Sequence, residues 1–162
     1  MENGNSYRHI LKWGDKHEES ISHHMAEVIK EKFGLPEADF KRKHLPGTEP
    51  VKIDKPSMLK PAQLDFFRSV SGAENIMTDD LSRARFSCGK FYGELLDLRF
   101  GLVPDPPDGV VAPRTHEEVE KIISYCNDEG IAVVPAGGLS SVTGAVSAPA
   151  GGIALDLTKH LN

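Results

Sequence analysis

Between Gly109 and Ala136 the apolar pattern changes period twice, and few folds accept that order. "GVVAP" reads as a short apolar strand closed by Pro113. Thr115 with Glu118 three residues later has the form of a capping box. Val119, Ile122, Ile123 and Cys126 then fall at i, i+3, i+4 and i+7, one buried face of a helix that Gly130 ends. "IAVVPA" is β-branched and apolar enough for a strand covered on both sides. Strand, helix and strand in about 30 residues predict a right-handed βαβ crossover with parallel strands.

The second strand runs into "GGLSSVTGAV", where α/β sheets tend to place ligands. Gly137 and Gly138 allow positive φ and let another molecule approach the backbone with no Cβ in the way. Successive amides in such a turn form a nest for an anion, and Ser140, Ser141 and Thr143 add hydroxyl donors. That chemistry suits a diphosphate, although a purely structural turn accounts for the loop alone equally well. A Walker A loop is excluded because no lysine follows Gly144, and the spacing is not the G-x-G-x-x-G of a dinucleotide fingerprint. The residues from Gly144 to Gly151 are too few for a crossover helix, and "GGIALDL" reads as a further strand.

Upstream, the spacing predicts an amphipathic helix from His17 to Phe33, carrying Ile21, Met25, Val28, Ile29 and Phe33, capped by Asp15 and Glu18 and stopped by Gly34 and Pro36. The proline-rich stretch from Lys41 to Pro61 predicts an extended connector lying across another surface. Shorter helices are expected over Pro61–Val70, with proline at the first position, and Phe91–Phe100.

Composition limits the remaining choices. The 162 residues hold one ordinary domain, or a small domain with an appended segment. No apolar run reaches the roughly 18 residues of a membrane span, and no secretory leader is visible, so a cytoplasmic protein is the expectation. A net charge of -5 with a single basic cluster, Lys41 to His44, argues against nucleic acid. Cys88 and Cys126 read as buried reduced thiols. His17, Glu18, His23 and His24 lack metal-ligand spacing, so no metal is expected. Asp105 and Asp108 read as turn formers more than as an acid/base pair, and Arg83, Arg85 and Arg99 as surface pairs more than as anion ligands. Phe66, Phe67, Phe91, Tyr92 and Phe100 are expected to pack in a core or dock on a further domain.

The stretch from "PDGVVAP" through "VVPAGGLSSVTGAV" to "GGIALDLTKHLN" resembles the start of the FAD-binding domain of the vanillyl-alcohol oxidase and p-cresol methylhydroxylase superfamily. "KWGD" and "RARFSCGKFYGELLDLRFGLVPDPPD" are similar to the lead-in of its alkylglycerone-phosphate synthase branch. The resemblance implies an FAD-dependent oxidoreductase or a flavin-dependent transferase. It carries the diphosphate loop onto Pro135, Ala136, Gly137, Gly138, Leu139, Ser140 and Ser141, with Gly144 just beyond. Leu139 stands where a glycine or small residue is usual, and the absence of a loop histidine favours non-covalent FAD.

The expected fold is α+β. A helical and extended lead-in over 1–104 precedes the first βαβ subdomain of a PCMH-type FAD-binding domain over 105–162, truncated after its third strand. On this reading the catalytic residues and the small-molecule substrate site belong to a continuation absent here, and a homodimer is compatible with it. The alternative is a non-catalytic or vestigial module that keeps the βαβ unit and does not retain flavin.

Overall fold

Serine at position 22 decides where the first helix starts. In the computed structural model, which describes residues 5–7, 10, 22–41 and 49–161, Ser22 is extended and its Oγ accepts the Met25 amide at 3.2 Å. Helix α1 therefore covers His23–Phe33 and not the expected span from His17. A serine cap wins over continuation because its hydroxyl satisfies an orphan amide of the first turn. Asp15, Glu18 and the other residues before Ser22 in the expected helix lie outside the described residues. Gly34, at φ 62°, ends α1 by donating its amide to the Lys30 carbonyl. Helix α2, Glu37–Lys41, follows, and Lys30 pairs with Glu27 and Glu37. These helices form one compact unit, residues 12–46.

The other unit holds residues 1–11 and 47–162. Its stretch from 49 to 60, expected to be extended, forms no helix, bends at 54–55 and is held by side chains from later in the chain. Ile53 donates its amide to Asp80 Oδ2 at 3.1 Å, and Met58 donates to Asp108 Oδ1 at 3.0 Å. Helix α3 (Pro61–Ser71) starts on its proline, with Gln63 Oε1 accepting the Lys60 amide at 2.9 Å. Strand β1 (Ile76–Met77), helix α4 (Asp80–Arg85) and helix α5 (Tyr92–Arg99) follow. Strand β2 (Gly109–Val111), helix α6 (His116–Glu129), strand β3 (Val133–Ala136) and strand β4 (Ile153–Asp156) complete the unit.

Thr115 caps α6 through its hydroxyl, which accepts the Glu118 amide at 3.2 Å. Glu118 turns back to the Arg114 amide and guanidinium, at 2.8 and 2.9 Å.

The sheet order is β1-β2-β4-β3, with β1 antiparallel to β2 and the other pairs parallel. β4 inserts between the two strands of the β2-α6-β3 unit, pairing Val110 with Ala154 on one side and Val134 with Ala154 on the other. This revises one expectation. β2 and β4 are buried along their whole length, whereas β3 is a half-covered edge where Pro135, which has no N–H to pair, is tolerated.

Alternation sorts the sheet into two cores. Val111, Ile153 and Leu155 face Phe67 of α3 and Ile122 and Cys126 of α6. On the same side the rings of Phe66 and Tyr125 stack at 3.7 Å. Ile123, expected on the buried face of α6, is exposed. Val110, Ala136 and Ala154 face Phe86 on the other side. A third cluster joins Tyr7, Ile10, Val51, Ala84, Cys88 and Leu98. Among the described residues no helix is long and apolar enough to cross a membrane.

Candidate functional site

Because β2, β4 and β3 are parallel, their C-terminal ends share one edge of the sheet. A cavity of about 420 Å3 opens there. The loop after β3 contributes Gly137, Gly138 and Leu139, and the segment at the end of β4 contributes Asp156, Thr158 and Lys159. Met77, Ser82, Arg85 and Phe86 close the remaining side.

The two glycines do not do what their flexibility suggested. Neither Gly137 nor Gly138 adopts positive φ; the left-handed positions in the loop are Leu139, at 51°, and Gly144, at 75°. A Cβ built on Gly137 or Gly138 would meet no protein atom within 4 Å. Neither torsion nor internal packing therefore asks for glycine at 137 and 138, and what these residues provide is bare backbone on the cavity wall. Among the described residues, the amides of Gly137, Gly138, Leu139, Ser140 and Ser141 donate to no protein acceptor. An oxygen-rich anion fits such a wall, which is the requirement a diphosphate sets.

The second half of the loop is occupied with its own structure. Ser141 Oγ accepts the Thr143 and Ala145 amides at 3.3 and 3.1 Å, and its carbonyl accepts the Lys90 amide at 2.7 Å. Gly89 permits that contact, since a Cβ there would sit 2.1 Å from the Ser141 carbonyl oxygen. Ser141, expected as a donor to the ligand, braces the turn with its side-chain oxygen, whose hydroxyl hydrogen stays available. Ser140 and Gly144 are exposed and do not line the cavity. Pro135 is exposed within β3, and Ala136 is buried beneath the loop. Of the eight expected residues the cavity brings together three.

Electrostatics come from residues scattered in sequence. Arg85 and Lys159 put two cations on the wall, and the Lys159 ammonium donates to the Glu74 carbonyl at 3.1 Å. Asp156 is buried, and its carboxylate accepts the Thr158 amide and hydroxyl at 2.8 and 2.7 Å. His160 Nε2 lies 2.9 Å from Asn75 Oδ1, tying the segment after β4 to the turn before β1. Sequence reading placed Arg85 among three arginines without distinguishing it and missed the others. Thr158 and Lys159 carried one signal, their position just past the end of a parallel strand.

The remaining candidates are structural. Arg83 is buried and donates to the Pro107 and Lys55 carbonyls at 2.8 and 2.9 Å, and Arg99 ends α5 away from the cavity. Asp108 accepts two backbone amides, and Asp105 accepts the Ser147 hydroxyl at 3.1 Å. Cys88 and Cys126 are free and buried, and burial pushes both thiols up to about 11. No cluster of metal-ligating side chains occurs among the described residues; His17 and Glu18 lie outside them, while His23 and His24 are exposed. Phe67 is core, whereas Phe91, Tyr92 and Phe100 are exposed.

Residues 107–162 match the family model of the FAD binding domain. Alkyldihydroxyacetonephosphate synthase of Trypanosoma brucei brucei is 32% identical over 126 residues, covering 76% of this chain and 21% of that protein. Mitochondrial D-lactate dehydrogenase [cytochrome] of Arabidopsis thaliana is 46% identical over 52 residues, which are 32% of this chain and 9% of that protein. A solved alkyldihydroxyacetonephosphate synthase superposes with a TM-score of 0.63 at 24% identity, over 69% of this chain and 22% of that one. The segment from 107 to 162 is thus similar to the FAD binding domain, and that match supports FAD as the cofactor. The fold is that of part of such a protein, and the chain spans about a fifth of the curated synthases it matches.

Proposed function

We propose that this chain binds FAD non-covalently at the end of the parallel strands, as part of a flavoenzyme related to alkyldihydroxyacetonephosphate synthase or to the FAD-linked oxidases. One observation carries the reading: Gly137, Gly138 and Leu139, whose amides are unpaired and two of which have no side chain, line one cavity with Arg85 and Lys159. Gly137, Gly138 and Leu139 would hold the diphosphate through their amides, with Arg85 and Lys159 balancing its charge. Pro135 and Ala136 support the loop from β3, while Ser140, Ser141 and Gly144 shape its far half.

FAD, when bound, supplies a two-electron acceptor. The residues of this cavity bind and orient it. Their only carboxylate, Asp156, is occupied by Thr158, which leaves it poorly placed to act as a base. No histidine stands between Pro135 and Gly144 to tether a flavin.

Adding FAD to the purified chain should raise its melting temperature, with about 2.7 kcal/mol of added stability when FAD exceeds Kd a hundredfold. Acid precipitation should then leave all flavin in the supernatant. An unmoved melting temperature supports the vestigial-module alternative, and flavin retained on the precipitate contradicts non-covalent binding.

A further inference from the structure

Among the described residues Leu139 alone combines a side chain with a left-handed backbone, at φ 51°. Residues with a Cβ rarely adopt that region, and where one persists the surroundings must impose it. Two observations show how. The Leu139 side chain is half-buried and packs against the cluster of Phe86, Val110, Ala136 and Ala154, while the residue also lines the cavity beside Gly137 and Gly138. The downstream end of the same loop is separately fixed by the Lys90 amide on the Ser141 carbonyl.

Between Ala136, buried in β3, and Ser141 there are two glycines, which resist no rotation of their own, and the exposed Ser140. Leu139 is the one residue in that interval with an apolar anchor.

We infer that Leu139 is a positioning residue, whose side chain, seated on Phe86 and its neighbours, holds the Gly137 and Gly138 amides in their ligand-facing orientation before FAD arrives. The inference rests on the reading of this cavity as the FAD site. A loop already in place binds without first being ordered, so loosening it lowers affinity while the contacts themselves stay the same.

The test uses the full chain with Leu139→Ala, Leu139→Gly and the conservative Leu139→Met. Each is titrated with FAD well below its melting temperature, and 15N relaxation of the Gly137 and Gly138 amides is measured without FAD. Leu139→Ala and Leu139→Gly should weaken FAD about tenfold and lower the order parameters of both glycines, whereas Leu139→Met should retain both properties. Unchanged affinity and order in Leu139→Ala overturn the inference, even if its melting temperature falls, because that pattern belongs to packing alone. Tighter binding by Leu139→Gly overturns it too, since the leucine would then be an obstacle. The relaxation measurement does not involve FAD, so a rigid loop in a chain that fails to bind FAD counts against the cavity reading, whereas a loop as mobile in the wild type as in Leu139→Ala counts against the role of Leu139.

Discussion

Asp108 and Gly152 are joined by a hydrogen bond of 2.6 Å from the glycine amide to the carboxylate Oδ2, while Oδ1 of the same side chain accepts the Met58 amide at 3.0 Å. One buried carboxylate thus ties the stretch before α3 to the turn entering β4. Replacing it by asparagine turns one acceptor into a donor that faces an amide. Asp108→Asn should cost about 1.5 to 3 kcal/mol, the worth of a charge-assisted hydrogen bond. Urea unfolding checks this through a lowered midpoint at unchanged slope.

Gly89 lies so close to Ser141 that even a methyl group displaces the loop. Gly89→Ala should lose about 1 to 3 kcal/mol through overpacking. It should also weaken FAD binding, because the displaced loop carries Gly137, Gly138 and Leu139, which line the cavity. Parallel unfolding and FAD titrations test the pairing of the two effects.

Arg85 is exposed on the cavity wall, so its removal separates binding from folding. Arg85→Ala should leave stability within about 0.5 kcal/mol, as is usual for surface positions. FAD affinity should fall about tenfold, the worth of one charge-assisted hydrogen bond. The salt dependence of binding should flatten as well. Titration at two ionic strengths reads both outcomes.

The buried thiols make stability depend on alkaline pH. Burial raises Cys88 and Cys126 from 9.0 to about 11, so the folded chain retains protons that the unfolded chain releases. Their contribution is complete below pH 9 and is lost as pH rises through about 11. Urea midpoints should fall across that window, and replacing both cysteines by alanine should flatten the slope there. At pH 8 a thiol reagent should modify the native chain far more slowly than the denatured one.

Local signals in the sequence account for much of this fold. Proline at 61, threonine at 115 and glycines at 34 and 130 mark helix ends where the structure has them, because capping acts within a few residues. Ile76–Met77 is too short to show a period, and Asp80–Arg85 too short to show a stripe. The insertion of β4 between β2 and β3 is a long-range pairing that no window of sequence displays. It moves full burial from β3 to β4.

The site divides in the same way. The glycine pair is legible because missing side chains are conspicuous in a strand-loop context. Arg85, Phe86 and Lys159 are not, since they meet the loop only after the sheet is assembled. The strain at Leu139 depends on backbone torsion and on contact with Phe86's cluster, neither of which composition records.

The most direct measurement is an equilibrium titration of FAD into the purified chain and its Gly138→Val variant, followed by flavin absorbance and fluorescence. The wild type should bind one FAD per chain saturably, and the valine should abolish binding while changing the unfolding free energy by no more than about 0.5 kcal/mol, the usual range for a surface site. Equal affinity in the two proteins would contradict the placement of the diphosphate against this backbone.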